Sequence, residues 1–155
     1  MRGGAARSVC VPEFTGEYRQ ILDTKGRVFV PAKIREAMDD PSGKVYLTRG
    51  LDGCAYMYAP AQWKAVVTLV QSQPFTSASV RRFHRGFAGS ACECTMDKQG
   101  RILIPETLRQ LAGLKRDVVF LGQFDKVEIW DVDRYAAQSI TPEEYNQSAE
   151  EMFKR

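Results

Sequence analysis

The sequence predicts a β-rich α+β fold made of two tandem units related by a pseudo-twofold axis and carrying short helices. A repeated phrase is the main reason. Residues 22–36, LDTKGRVFVPAKIRE, return at 96–110 as MDKQGRILIPETLRQ. Asp23, Gly26, Arg27, Pro31 and Arg35 are answered 74 positions later by Asp97, Gly100, Arg101, Pro105 and Arg109. Brief β-branched runs alternate with turns rich in aspartate and glycine, the punctuation of short antiparallel strands. Prolines stand where those runs end and amphipathic stretches begin, which suits a first helical position.

Each unit opens with a strand, Glu17–Leu22 in the first and Ala91–Met96 in the second. Asp-Thr-Lys-Gly and Asp-Lys-Gln-Gly follow, each an aspartate-initiated turn with a glycine able to take positive φ. Val28–Val30 and Ile102–Ile104 form the returning strands. After Pro31, Ile34, Ala37 and Met38 fall on one helical face; Leu108, Leu111 and Ala112 repeat this, and Gly113 supplies a C-terminal stop. Strand pairs then follow, Val45–Thr48 with Ala55–Tyr58 and Val118–Leu121 with Val127–Trp130, whose loops differ in length by one residue.

Helices close each unit. Trp63, Val66, Val67 and Val70 make one amphipathic stripe after Pro60. Residues 77–88 make another, with Val80, Phe83 and Phe87 expected inward and Arg81, Arg82 and Arg85 outward on a solvated face. Thr141-Pro142-Glu143-Glu144 has the form of a capping box, and Tyr145, Ala149 and Met152 continue it as a stripe. These stripes are read as core or subunit interface. The organisation is therefore 1–13, a disordered extension; 14–72, the first repeat; 73–89, a linking helix; 90–137, the second repeat; and 138–155, a C-terminal helix. A half of this size buries little core alone, so the two are expected to pack together.

Composition narrows the function classes. The chain has 155 residues, 44% of them hydrophobic, but no apolar run approaches the roughly 20 residues of a membrane-spanning helix. The N-terminus lacks the apolar core of a secretory signal, which makes the cytoplasm the expected compartment. Net charge is +3 and unevenly spread. Residues 1–115 carry 17 Lys or Arg against 10 Asp or Glu, and residues 116–155 carry 5 against 9. A basic region with an acidic tail suits an anionic partner such as nucleic acid. Cys92 and Cys94 alternate with polar residues and so face one side of a strand. Cys10, Cys54 and His84 stand at no ligand spacing from them, and neither a metal nor a cofactor is expected. No G-x-S-x-G elbow, P-loop or H-E-x-x-H is present, and His84 has no nucleophile to serve, so the chain is not expected to be an enzyme acting on a small-molecule substrate.

The paired D-x-x-G-R turns, the segment LTRGLDGCAYMYAPAQW and the segment DKQGRILIPETLRQLAGL closely resemble the MraZ family over about residues 14–137. The resemblance implies two tandem AbrB-like swapped-hairpin units and a ring-shaped homo-oligomer. It also implies a nucleoid-associated transcriptional regulator without enzymatic activity or cofactor. Such a regulator binds double-stranded DNA at direct repeats in its own promoter and controls the division and cell-wall gene cluster. A protein-interaction module of the same fold, without DNA specificity, is the alternative.

The residues expected at DNA are Lys25 and Arg27 in the first turn, Lys98 and Arg101 in the second, and Lys33 and Arg35 beyond the first. The lysine place of the second turn holds Gln99, which makes the two chemically unequal. Arginine can donate twice to guanine O6 and N7, whereas lysine meets phosphate as a point charge. Asp23, Gly26, Asp97 and Gly100 are expected to shape the turns, since a carboxylate facing phosphate would be repelled. Arg35 and Arg109 fit either DNA contact or a buried ion pair; Lys33 and Arg49 are balanced between phosphate contact and plain surface.

Overall fold

The computed structural model describes residues 12–154, so the expected disorder of the N-terminal extension lies, for residues 1–11, outside the described residues. The first unit runs β1 (Glu17–Ile21), β2 (Arg27–Phe29), α1 (Ala32–Met38), β3 (Lys44–Arg49), β4 (Ala55–Tyr58), α2 (Pro60–Gln71) and α3 (Ala78–Gly89). The second runs β5 (Cys92–Thr95), β6 (Arg101–Leu103), α4 (Glu106–Leu111), β7 (Asp117–Gly122), β8 (Val127–Asp131), α5 (Val132–Ala137) and α6 (Pro142–Met152). Pro31 and Pro105 take extended backbone immediately before α1 and α4, so the same residue type ends each strand and launches each helix. Gly113, at φ +61, ends the turn after α4 as its position in the sequence predicts.

The strands form a six-stranded antiparallel sheet in the order β1-β7-β8-β4-β3-β5, and a separate two-stranded ribbon of β2 with β6. Exchanging each strand for its counterpart in the other unit reverses the order and leaves it unchanged. A pseudo-dyad therefore passes between β4 and β8 and between β2 and β6. The opening strand of each unit pairs with the other unit: β1 lies on β7, with Tyr18 opposite Phe120, and β5 on β3, with Val45 opposite Cys94. The hairpins are swapped, and neither unit completes its own sheet.

The swap explains the core. Val28, Val30 and Ile34 meet Ile102, Ile104 and Leu108, each at most 2% exposed, together with Leu47, Met57, Phe120 and Ile129 from the sheet. Burying the equivalent residues of both units in one cluster reaches the size that neither attains alone. A second apolar cluster lies across the sheet under the helices. Trp63 of α2 stacks between Tyr46 of β3 and Phe87 of α3, with ring centroids 5.4 and 5.6 Å away. The Thr48 hydroxyl donates to the Phe87 carbonyl at 2.6 Å and ties α3 to β3.

Some elements depart from the sequence expectation. Phe83, expected inward, is 43% exposed, because α3 is held to the sheet at its C-terminal end and the preceding turn projects past it. Arg81 is not merely solvated: its Nη1 donates to the carbonyls of Phe75 and Thr76 and closes the link from α2. The sequence stripe gave no sign of α5, which forms because Asp131 accepts from the Asp133 N–H and caps it. The capping box of α6 is complete. Yet two residues of its stripe stand open, Tyr145 at 66% and Met152 at 71% exposure, while Ala149 is half-buried. Among the described residues no helix is long and apolar enough to cross a membrane.

Candidate nucleic-acid interface

The repeated phrase builds one object at the pseudo-dyad. In the first turn the Asp23 carboxylate accepts from the backbone N–H groups of Lys25 at 2.9 Å and Arg27 at 2.8 Å, and from Arg27 Nε at 2.8 Å. In the second, Asp97 accepts from the N–H groups of Gln99 and Arg101, both at 2.9 Å, and from Arg101 Nε at 2.8 Å. Each aspartate thus closes its turn and also steers the arginine that follows. Donation through Nε leaves both terminal nitrogens of each guanidinium, a planar fork, without a partner among the described residues. These bonds, led by the Arg27 backbone N–H, hold the Asp23 carboxyl at about 2, below its ordinary 3.8. The equivalent bonds of Arg101 lower Asp97 as well.

Gly26 and Gly100 have φ of +91 and +84, the left-handed region that each turn requires. A second constraint acts across the dyad. A Cβ built on Gly26 would come within 2.8 Å of the Arg109 guanidinium, and one on Gly100 within 3.1 Å of Arg35 Nε. Arg35 donates through Nε to the Val30 carbonyl at 2.9 Å, and Arg109 to the Ile104 carbonyl at 2.9 Å. So each unit's helix arginine lies over the other unit's turn. The ion-pair reading of these two arginines does not hold: among the described residues neither has a carboxylate within salt-bridge distance, and their partners are backbone carbonyls. Arg35 is exposed and Arg109 half-buried.

The ribbon has two faces. Val28 and Ile102 stand opposite one another and point into the core. Arg27, Phe29, Arg101 and Leu103 belong to the outer face, with Arg27 opposite Leu103 and Phe29 opposite Arg101. Phe29 and Leu103 are 47% and 54% exposed, and the Arg101 guanidinium sits 5.8 Å from the Phe29 ring centroid. These two apolar residues were not singled out in the sequence. Alternation within Val28-Phe29-Val30 and Ile102-Leu103-Ile104 would have identified them, because flanks in the core force the middle residue outward.

Lys25 and Lys98 are exposed at the two turn tips, and Lys33 is exposed on α1. Arg49 is not brought to the ribbon; it lies at the end of β3 beside Arg82 and Phe83 of α3. The thiols of Cys92 and Cys94 face one side as the alternation predicts, with sulfurs 3.8 Å apart. Burial pushes Cys94 up to about 12, so it stays a protonated thiol.

A family model described as "MraZ protein, putative antitoxin-like" matches the chain twice in tandem, over residues 14–86 and 87–155. A protein named Transcriptional regulator MraZ from Heliobacterium modesticaldum is 44% identical over 124 residues, covering 79% of this chain and 84% of that one. Its namesake from Natranaerobius thermophilus is 41% identical over 140 residues, covering 90% and 91%. A third, from Acetivibrio thermocellus, is 44% identical over 126 residues, covering 81% and 86%. With both repeats matched and near-full-length relatives at this identity, the chain belongs to the MraZ family.

Proposed function

We propose that this protein is a transcriptional regulator that reads double-stranded DNA with the outer face of the β2–β6 ribbon. The carrying observation is the pair of forks: Arg27 and Arg101, each locked by its own aspartate, displayed on one two-stranded ribbon. The major groove of B-DNA is about 12 Å wide and admits such a ribbon. A guanidinium whose Nε is occupied keeps two parallel donors for guanine O6 and N7. Lys25, Lys98, Lys33 and Arg35 flank the ribbon as phosphate contacts that set its position and carry no sequence information. The relatives named Transcriptional regulator MraZ support the same role.

The finer reading is that the protein acts in the nucleoid as a ring of identical subunits, on direct repeats in its own promoter upstream of the division and cell-wall gene cluster. One bidentate arginine supplies about 1–3 kcal/mol of discrimination, too little to single out a promoter. Several ribbons held in one assembly gain by effective concentration, and repeated protein tips call for repeated DNA elements. Titration of promoter and scrambled duplexes at several salt concentrations tests this. The expected result is a promoter preference whose affinity falls steeply with salt. Weak binding that ignores sequence would favour the protein-interaction reading of the fold.

A further inference from the structure

Cys92 and Cys94 take no part in the outer face of the ribbon, yet the fold sets them up as a pair. Their sulfurs lie 3.8 Å apart on one face of β5, the outermost strand of the large sheet, which has β3 on one side only. Both are half-buried, so solvent reaches them, whereas Cys54 is 3% exposed. Their cross-strand neighbours Leu47 and Val45 are apolar and fully buried, and offer no side-chain ligand. Glu93, between them, turns to the opposite face. There it accepts from the Tyr46 hydroxyl at 3.0 Å and lies 3.7 Å from Lys44 Nζ.

The spacing selects what the pair can hold. An atom bonded to both sulfurs at about 2.3 Å, the usual zinc–thiolate length, would see them about 110° apart. A linear two-coordinate ion would need them about 4.6 Å apart at that bond length. A tetrahedral metal ion accepts the angle but needs two more ligands. Among the described residues no third His, Cys, Asp or Glu joins the pair. A disulfide needs its β-carbons about 3.5–4.5 Å apart, whereas alternate residues of a strand stand about 6.6 Å apart. A pyramidal trivalent centre takes two sulfurs, keeps its third bond for a hydroxyl, and accepts both the angle and the count. Burial and the neighbouring thiol keep Cys94 protonated. Such a centre tolerates this, because each thiol proton leaves with a hydroxide.

We propose that Cys92 and Cys94 form a chelating site for trivalent arsenic, as arsenous acid or a relative carrying one carbon group. In the binding step two sulfur–arsenic bonds form and two arsenic–oxygen bonds break. Each departing hydroxide takes one thiol proton and leaves as water; arsenic stays trivalent and nothing is oxidised. The chelate lies beside the ribbon, since Cys94 Sγ is 3.6 Å from the Leu103 carbonyl of β6.

Alkylation of the full chain tests this, with sodium arsenite as the probe and a phosphine keeping the thiols reduced. Iodoacetamide is expected to label both cysteines without arsenite and neither in its presence, as read by mass spectrometry of the peptide that carries them. Amide signals of Arg101–Leu103 should shift on loading. Cys92→Ser and Cys94→Ser are each expected to weaken arsenite binding more than about a hundredfold, because the second bond of the chelate is lost. Cys10→Ser should bind like wild type. Unchanged melting curves are the folding control, and the wild-type labelling pattern needs no variant. Protection of neither thiol or of only one, wild-type affinity in either of the two serine variants, or binding that requires Cys10 would overturn the site. None of these outcomes depends on whether the ribbon reads DNA.

Discussion

The two units share a core and differ at their surfaces. In the first, the chain leaving β4 turns through α2 and sends α3 back onto β3, where Phe87 and Ser90 fix it to Thr48. In the second, the chain leaving β8 makes the six-residue α5 and then α6, whose Tyr145 and Met152 stay exposed. The turns diverge in the same manner: Lys25 stands where the second has Gln99, and Arg27 faces Leu103 where Arg101 stacks on Phe29. Positions inside the dyad must serve both units at once, because Val28 packs on Ile102 and a change in one is felt by the other. Positions outside it are free to specialise.

The largest effect should come from the forks. Arg27→Ala is expected to remove most of the affinity for promoter DNA, with the loss multiplied by the number of ribbons engaged. Arg101→Ala should be comparable or weaker, since its turn has Gln99 in place of lysine. Stability should change by no more than about 1 kcal/mol in either case, because a partly exposed ion pair to aspartate is worth little. Equal binding by Arg27→Ala and wild type would move the DNA-reading surface elsewhere.

The core should break symmetrically. Ile34→Ala and Leu108→Ala each empty a fully buried dyad position, so each should cost about 2–5 kcal/mol in chemical denaturation. A large difference between them would show that one unit holds the fold and the other leans on it. Next come the turn glycines, where alanine would be strained at positive φ by about 1–3 kcal/mol. Gly26→Ala should be the worse of the two, since its Cβ would come closer to the opposing arginine than that of Gly100→Ala.

The order in which these features can be read from the sequence follows from their range. Strands, turns and helix starts are local, and the 74-residue offset doubles the signal for each, so β2, β6, α1 and α4 fall where the repeated phrase puts them. The aspartate-to-arginine bond spans four residues and was within reach, but a turn aspartate has a sufficient role as a cap and hides the second one. The partnership of Arg109 with Gly26 could not be read locally, because it exists only once the hairpins swap. Phe83 shows another limit: periodicity gives a helix a face but not the length over which a sheet covers it.

The smallest effect concerns the acids behind the forks. Asp23 has a carboxyl held at about 2 against an ordinary 3.8, so its folded-state pKa is depressed. The stability it contributes is therefore fully present above the ordinary value and is lost as pH falls through about 2. Asp97 is lowered in the same direction and should follow the same course. Carboxyl chemical shifts followed by NMR as the protein is acidified should give a midpoint for Asp23 near 2. The Arg27 Nε–H signal should move in step, because that proton sits on the carboxylate being titrated. Replacing Asp23 by asparagine removes the charge but keeps an acceptor. Its melting temperature should lie below wild type at neutral pH and converge on it as the acid limit is approached. A gap that stayed constant down to pH 2 would mean that the carboxylate charge contributes nothing and that only the acceptor oxygen holds the turn. Repeating the comparison at Asp97 then asks whether the two turns, unequal at their tips, are equal at their roots.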